Sequence, residues 1–173
     1  MPTPPDDPST LRDMVKDWAL AIAVAAGIFA AAGLLGRSQS TGPLDAAPPF
    51  EVVSLDGEAL SLAAMSEGTV VLNFWASWCG PCRAEIPDLA RFARDYPDVH
   101  MVGLAMASGG PDAVARAAAR FGITWPVAIA DRSLTSSYGV SVLPTTVIVA
   151  PGGQVHATHV GQMTYQQLVS ALP

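Results

Sequence analysis

One stretch of the chain breaks from the pattern around it. From Trp18 to Gly36, about 19 residues (WALAIAVAAGIFAAAGLLG) run without a charge and without the polar face that a surface helix shows. A helix of that length rises about 28 Å, close to the hydrocarbon thickness of a bilayer, so a transmembrane anchor is expected over 18–36. The alternative is a cleaved signal peptide, with Ala30–Ala32 as its small-residue cleavage site. Residues 1–17 are polar, rich in proline and aspartate, and expected to be disordered. Arg12 and Lys16 precede the span and Arg37 follows it, a modest bias that favours a cytoplasmic N-terminus. The C-terminal part then lies in the periplasm or another extracytoplasmic space. Residues 37–49 (RSQSTGPLDAAPP) read as a polar tether broken by proline and glycine, reaching about 45 Å if fully extended.

From residue 50 to 173 apolar runs alternate with turn residues, as in one folded domain. Phe50–Leu55 and Glu58–Leu62, joined by Asp56-Gly57, predict a hairpin with a two-residue turn. Thr69–Ala76 is nearly unbroken in β-branched and aromatic residues, the pattern of a central strand covered on both faces. A helix is predicted over Cys79–Tyr96, a second central strand over His100–Met106, and a helix over Pro111–Phe121 with proline where a helix start accepts it. Val127–Ala130 reads as a short strand and Leu134–Tyr138 as a helical turn. Thr145–Ala150 and Gln154–Val160 form a hairpin around Pro151-Gly152-Gly153, and Thr164–Leu172 is a closing amphipathic helix. The order is βαβα, then a β-hairpin, then α. This predicts an α/β domain, a central mixed sheet with helices on both faces.

Composition narrows the function. The chain has 173 residues and a formal net charge of −6, with no cluster of lysine and arginine. Nucleic acid is therefore not an expected partner, since phosphate binding needs gathered positive charge. Two cysteines rule out a structural disulfide framework.

Those two, Cys79 and Cys82, fall where the core strand meets the first turn of a helix. Free N–H groups and the positive end of the helix dipole stabilise a thiolate there, and the thiol pKa falls below its ordinary value. Two intervening residues place both sulfurs on one turn, within reach of a disulfide. Cys79, first in the turn, is expected to be the exposed attacking thiolate and Cys82 the buried resolving thiol. The competing use of Cys-x-x-Cys is half a zinc site, which needs two further ligands. The candidates, His156 and His159, lie three apart on a predicted strand and face opposite sides, so no metal is expected. These two and His100 read as surface or strand-end residues.

FWASWCGPCRAEIP resembles the active-site stretch of thioredoxin-like proteins, and VLPTTVIV (Val142–Val149) resembles that family's second signature, a cis-proline loop. The resemblance implies a thioredoxin-like fold in which Pro144 is cis and faces the cysteines, with the Leu143 backbone pairing to an extended substrate segment. An ordinary trans proline at a strand entrance is the alternative. Anchor, tether, N-terminal hairpin and the CRAEIP run resemble TlpA/ResA-type anchored thiol reductases, relatives of the cytochrome c maturation thioredoxins. Where thioredoxin carries a buried aspartate, this chain has Asn73, which cannot take a proton. Glu85, three residues beyond Cys82, becomes the candidate for tuning or proton exchange, its alternative being a solvated helix carboxylate. Some ResA-like proteins place a glutamate after the second central strand; here that region is AMASGGP. Trp78 is expected to offer partners a flat apolar surface or to serve packing alone. Trp75, Met101, Met106 and Met163 read as core residues, and Pro87 as a kink in the helix.

The expectation is an extracytoplasmic protein-disulfide reductase working through a mixed disulfide, with Cys79 and Cys82 catalytic and Trp78, Gly80, Pro81, Glu85, Leu143 and Pro144 supporting. The redox pair serves as its own centre, so no cofactor is expected. Gly80-Pro81 is the dipeptide of thioredoxin, whose potential is about −270 mV against about −120 mV for the oxidant DsbA. The resemblance implies a membrane electron donor of the DsbD/CcdA kind. Alternatives are a dedicated apocytochrome c reductase and a non-catalytic metal chaperone. Copper carriers of this fold resemble a Cys-x-x-x-Cys arrangement, one residue longer than the spacing here.

Overall fold

The computed structural model describes Trp18 and residues 45–173. The expected disordered segment, the anchor beyond Trp18 and the tether as far as Leu44 lie outside the described residues. Among the described residues no helix is long and apolar enough to cross a membrane.

The elements run β1 (Glu51–Val53), β2 (Ala59–Ser61), β3 (Val70–Trp75), α1 (Gly80–Asp95), β4 (His100–Ala105), α2 (Pro111–Phe121), β5 (Val127–Ile129), α3 (Arg132–Ser137), β6 (Thr145–Val149), β7 (Val155–Val160) and α4 (Tyr165–Ser170). β1 and β2 form a two-stranded sheet, and the other five a sheet ordered β5-β4-β3-β6-β7. β3 is parallel to β4 and antiparallel to β6, so the sheet is mixed, as the order of elements required. This is the thioredoxin-like α/β fold. All six residues of β3 are buried, which is what its unbroken apolar run dictates.

Most element ends fall within one or two residues of the sequence reading, the usual uncertainty of frayed ends. Two differences are larger. The first hairpin turns through five residues, Ser54–Glu58, rather than two, since Val53 pairs with Ala59. Its tip is drawn aside to the edge of β5: Leu55 N donates to Val127 O at 2.7 Å and Ser54 bridges Ala128. Ser54 Oγ accepts from Glu58 N at 3.0 Å, and Gly57 takes φ +87° to close the loop. The second difference concerns the end of the expected tether, because Asp45–Pro49 is built into the folded body. Ala46 bridges Gln154 and Ala47 N donates to Gly153 O at 2.9 Å. Pro48 O accepts from the Tyr138 hydroxyl at 2.6 Å, and burial pushes that phenol pKa up. Proline and alanine there suit an edge-hugging segment as well as a loose one, so composition misled.

The core is divided by the sheet. Val70, Leu72 and Phe74 meet Val102, Leu104 and Tyr138 on one side. Val71 and Ile148 meet Ile86, Leu89 and Phe92 of α1 on the other. Each such side chain, fully buried, contributes about 1.5–3 kcal/mol. Pro87 stands inside α1, exposed, where it leaves the Arg83 carbonyl without its helical partner.

Candidate functional site

β3 ends at Trp75, and three residues later the chain enters α1. Cys79 is the N-cap of α1: its backbone is extended (φ −79°, ψ 109°) and its Sγ accepts from Cys82 N at 3.2 Å. The sulfur thus satisfies one of the free N–H groups at the helix start. Cys79 and Cys82 are joined in a disulfide, their Cα atoms 5.3 Å apart. Gly80 and Pro81, both exposed, form the first helical turn, where proline costs no hydrogen bond. No acidic residue occupies that turn, so the positive end of the helix dipole acts on the sulfurs unopposed.

Cys79 is only 5% exposed and Cys82 1%, which corrects the expectation of an exposed Cys79. The cause is local. As a cap, the residue folds its sulfur back over the first turn, and Trp75, Ala76 and Leu143 share its cluster. The Leu143–Pro144 bond is cis. Pro144 is buried with its carbonyl accepting from Gly161 N at 2.8 Å, and Thr145 Oγ1 donates to Val142 O at 2.8 Å. The loop before β6 is thus held by bonds at both sides of the proline, with Leu143 packed against the cysteine cluster.

Beneath the pair lies a buried polar group. Glu85, three residues beyond Cys82 on α1, is fully buried, not the solvated carboxylate that the sequence left open. Its Oε1 accepts from Asn73 Nδ2 at 2.8 Å and its Oε2 from Met163 N at 3.0 Å. Asn73 Nδ2 also donates to Thr146 Oγ1 at 3.2 Å. Burial pushes the Glu85 pKa up, against the smaller lowering by the bonds from Met163 and Asn73. The signal in the sequence was the stripe Cys82, Glu85, Ile86, Leu89, Phe92: a carboxylate stood at a position whose helical neighbours all face the core.

Trp78 is 66% exposed, beside Cys79, and its Nε1 donates to Ala107 O at 2.9 Å. Trp75 is buried as core wall, its ring edge-on to Phe121 with centroids 6.1 Å apart. Met101 and Met163 are buried and Met106 is half-buried. Sequence reasoning gave no role to Thr146, although it lies within the Val142–Val149 stretch, and none to Ala107 and Ser108, whose bonds to Trp78 and Ser77 no spacing announces. His156 and His159 alternate in exposure along β7, and among the described residues no group of three or more His, Cys, Asp or Glu side chains converges to hold a metal.

Arranged this way, the pair can exchange electrons with another disulfide through its sulfurs alone. The model of the Redoxin family matches residues 43–172. The chain belongs to the Redoxin family. Within it, the chain is 34% identical over 129 residues to the thioredoxin-like protein YneN of Bacillus subtilis (strain 168), covering 73% of this chain and 76% of that one. It is 35% identical over 125 residues to the thiol–disulfide oxidoreductase ResA of Geobacillus thermodenitrificans, covering 70% and 71%. Among solved structures, the thiol:disulfide interchange protein of Chlorobium tepidum TLS superposes with a TM-score of 0.68 at 26% identity, over 77% of this chain and 97% of that one. This Redoxin is a thiol–disulfide oxidoreductase of the ResA/DsbE kind with a redox-active Cys79–Cys82 pair.

Proposed function

We propose that this oxidoreductase works as a reductant of protein disulfides outside the cytoplasm, held to the membrane by its N-terminal segment. The observation that supports it best is the Cys79–Cys82 pair as cap and first turn of α1, beside the cis-Pro144 loop. In the reduced protein the helix N-terminus stabilises a Cys79 thiolate. That thiolate attacks one sulfur of a client disulfide, the client S–S bond breaks, and the second client sulfur leaves as thiolate. Cys82, deprotonated, then attacks Cys79 Sγ and expels the other client thiolate. Two electrons pass to the client, which ends as a dithiol, and the protein ends with the disulfide of this structure.

Glu85 is the candidate acceptor of the Cys82 proton. Both residues are buried on one helix, and a carboxyl raised above its usual range exchanges protons nearer neutral pH. The dithiol is restored by a membrane electron donor of the DsbD/CcdA kind, which passes two electrons back. Gly80-Pro81 supports a low potential, as in thioredoxin.

The test is the potential of the purified protein against glutathione, with insulin as substrate. Reduction of insulin and a value below about −200 mV are expected; a value near −120 mV would overturn the reductant reading.

A further inference from the structure

Glu85 takes one hydrogen bond from Asn73 and one from a peptide unit whose far end a histidine holds. Met163 N donates to Glu85 Oε2 at 3.0 Å. The carbonyl of the same peptide, Gln162 O, lies 3.3 Å from His159 Nε2. A carbonyl only accepts, so Nε2 is the donor, in the imidazolium and in one neutral tautomer alike. A trans peptide is planar, with its C=O and N–H turned opposite ways. Fixing the oxygen therefore fixes the aim of the N–H.

The sheet brings these groups together. Asn73 is in register with Thr146, and Thr146 with His159, so the three stand in one row on one face. Gly161, at φ +105°, turns the chain off the end of β7 and brings Gln162 and Met163 to that row. Met163 is buried and His159 half-buried, so the peptide joins the interior to the surface. Among the described residues, the titratable side chains turned toward this group are Cys82, three residues earlier on α1, and His159 on β7. Tyr165, at the start of α4, turns its hydroxyl to Asp95, and His156 stands on the opposite face of β7. From β3 and β6 come Asn73 and Thr146, which do not titrate.

The two carboxyl oxygens thus differ. Oε2 meets a backbone N–H that can only donate, whatever the protonation of Glu85. Oε1 meets the Asn73 amide, which can turn its own oxygen inward and accept. A proton arriving at Glu85 has a place on Oε1 and none on Oε2. We propose that His159 is a positioning residue for this step: by holding Gln162 O it aims the Met163 N–H at Oε2 and reserves Oε1 for the proton that leaves Cys82. This rests on Glu85 being the acceptor of that proton.

The experiment follows insulin reduction by the full chain across pH. Without a fixed N–H on Oε2 the carboxylate is favoured less, so in His159→Leu the limb of the profile set by Glu85 should move up by about half a pH unit. His159→Gln keeps an N–H donor at that reach and should stay near wild type. The Met163 N–H should exchange with deuterium faster in His159→Leu than in His159→Gln. In a Glu85→Gln background neither substitution should move the profile further. An unmoved limb in His159→Leu, or a shift as large in His159→Gln, would overturn the role of His159. A profile left unchanged by Glu85→Gln alone would overturn the proton reading of Glu85 and this inference with it. Should His159→Leu fail to fold, His159→Thr, which suits a strand and falls short of Gln162 O, decides the matter.

Discussion

Val70, Leu72 and Phe74 face one side of the central sheet, and Val71, Asn73 and Trp75 the other. On the first side Leu72 pairs across the sheet with Val102 and Val147, all three aliphatic. On the second, Asn73 sits between Gly103 and Thr146, and Glu85 descends from α1 onto that row. The apolar side asks mainly for volume and shape, with the Tyr138 hydroxyl donating to Pro48 O at its margin. The polar side asks for a partner for each donor and acceptor, a far narrower requirement in a medium of low dielectric. The cysteines stand over the demanding side.

The comparison can be broken by substitution. Phe74→Ala empties fully buried volume on the apolar side and should cost about 3–5 kcal/mol in denaturant unfolding, with exchange activity per folded molecule retained. Glu85→Ala leaves Asn73 Nδ2 and Met163 N without their acceptor and should cost about 3 kcal/mol, while also changing the pH profile of thiol exchange. If both variants altered that profile alike, the two sides would not differ as described. Smaller still is Gly103→Ala. A Cβ there meets Trp125 Nε1 at 3.2 Å and Trp75 Nε1 at 3.3 Å, so two packed indoles must give way, at about 1–3 kcal/mol with a changed tryptophan fluorescence.

The smallest expected effect is one of pH. The folded state raises the Glu85 pKa, so it holds that proton more tightly than the unfolded chain. The stability this gives is complete below the ordinary carboxyl range and is lost as pH rises through the folded-state value. Glu85→Gln should flatten that part of the stability curve, since Asn73 can turn its amide to meet a neutral partner. An unchanged slope by urea unfolding from about pH 4 to 8 would show that Glu85 does not titrate there.

Much of this was legible in the residues. The unbroken run of β3, the alternation of elements and the Cys-Gly-Pro-Cys turn fixed the architecture and the place of the chemistry. The stripe on α1 contained the answer for Glu85, although spacing alone did not say whether the carboxylate faced core or solvent. Other features had no local signal. Ser54–Leu55 leave their own hairpin for β5, and Asp45–Ala47 pair at the start of β7, because distant strands offer open edges there. Ala107 adopts a conformation its side chain disfavours, and Cys79 is covered by residues of β3 and the loop before β6. Such outcomes belong to tertiary packing, which overrides local preference.

The most direct measurement is trapping of the mixed disulfide. Cys82→Ser, reduced and exposed to oxidised insulin, should accumulate an adduct on Cys79 that mass spectrometry locates and dithiothreitol releases. Cys79→Ser should give none. An adduct on Cys82 in the second variant with none on Cys79 in the first would contradict the account.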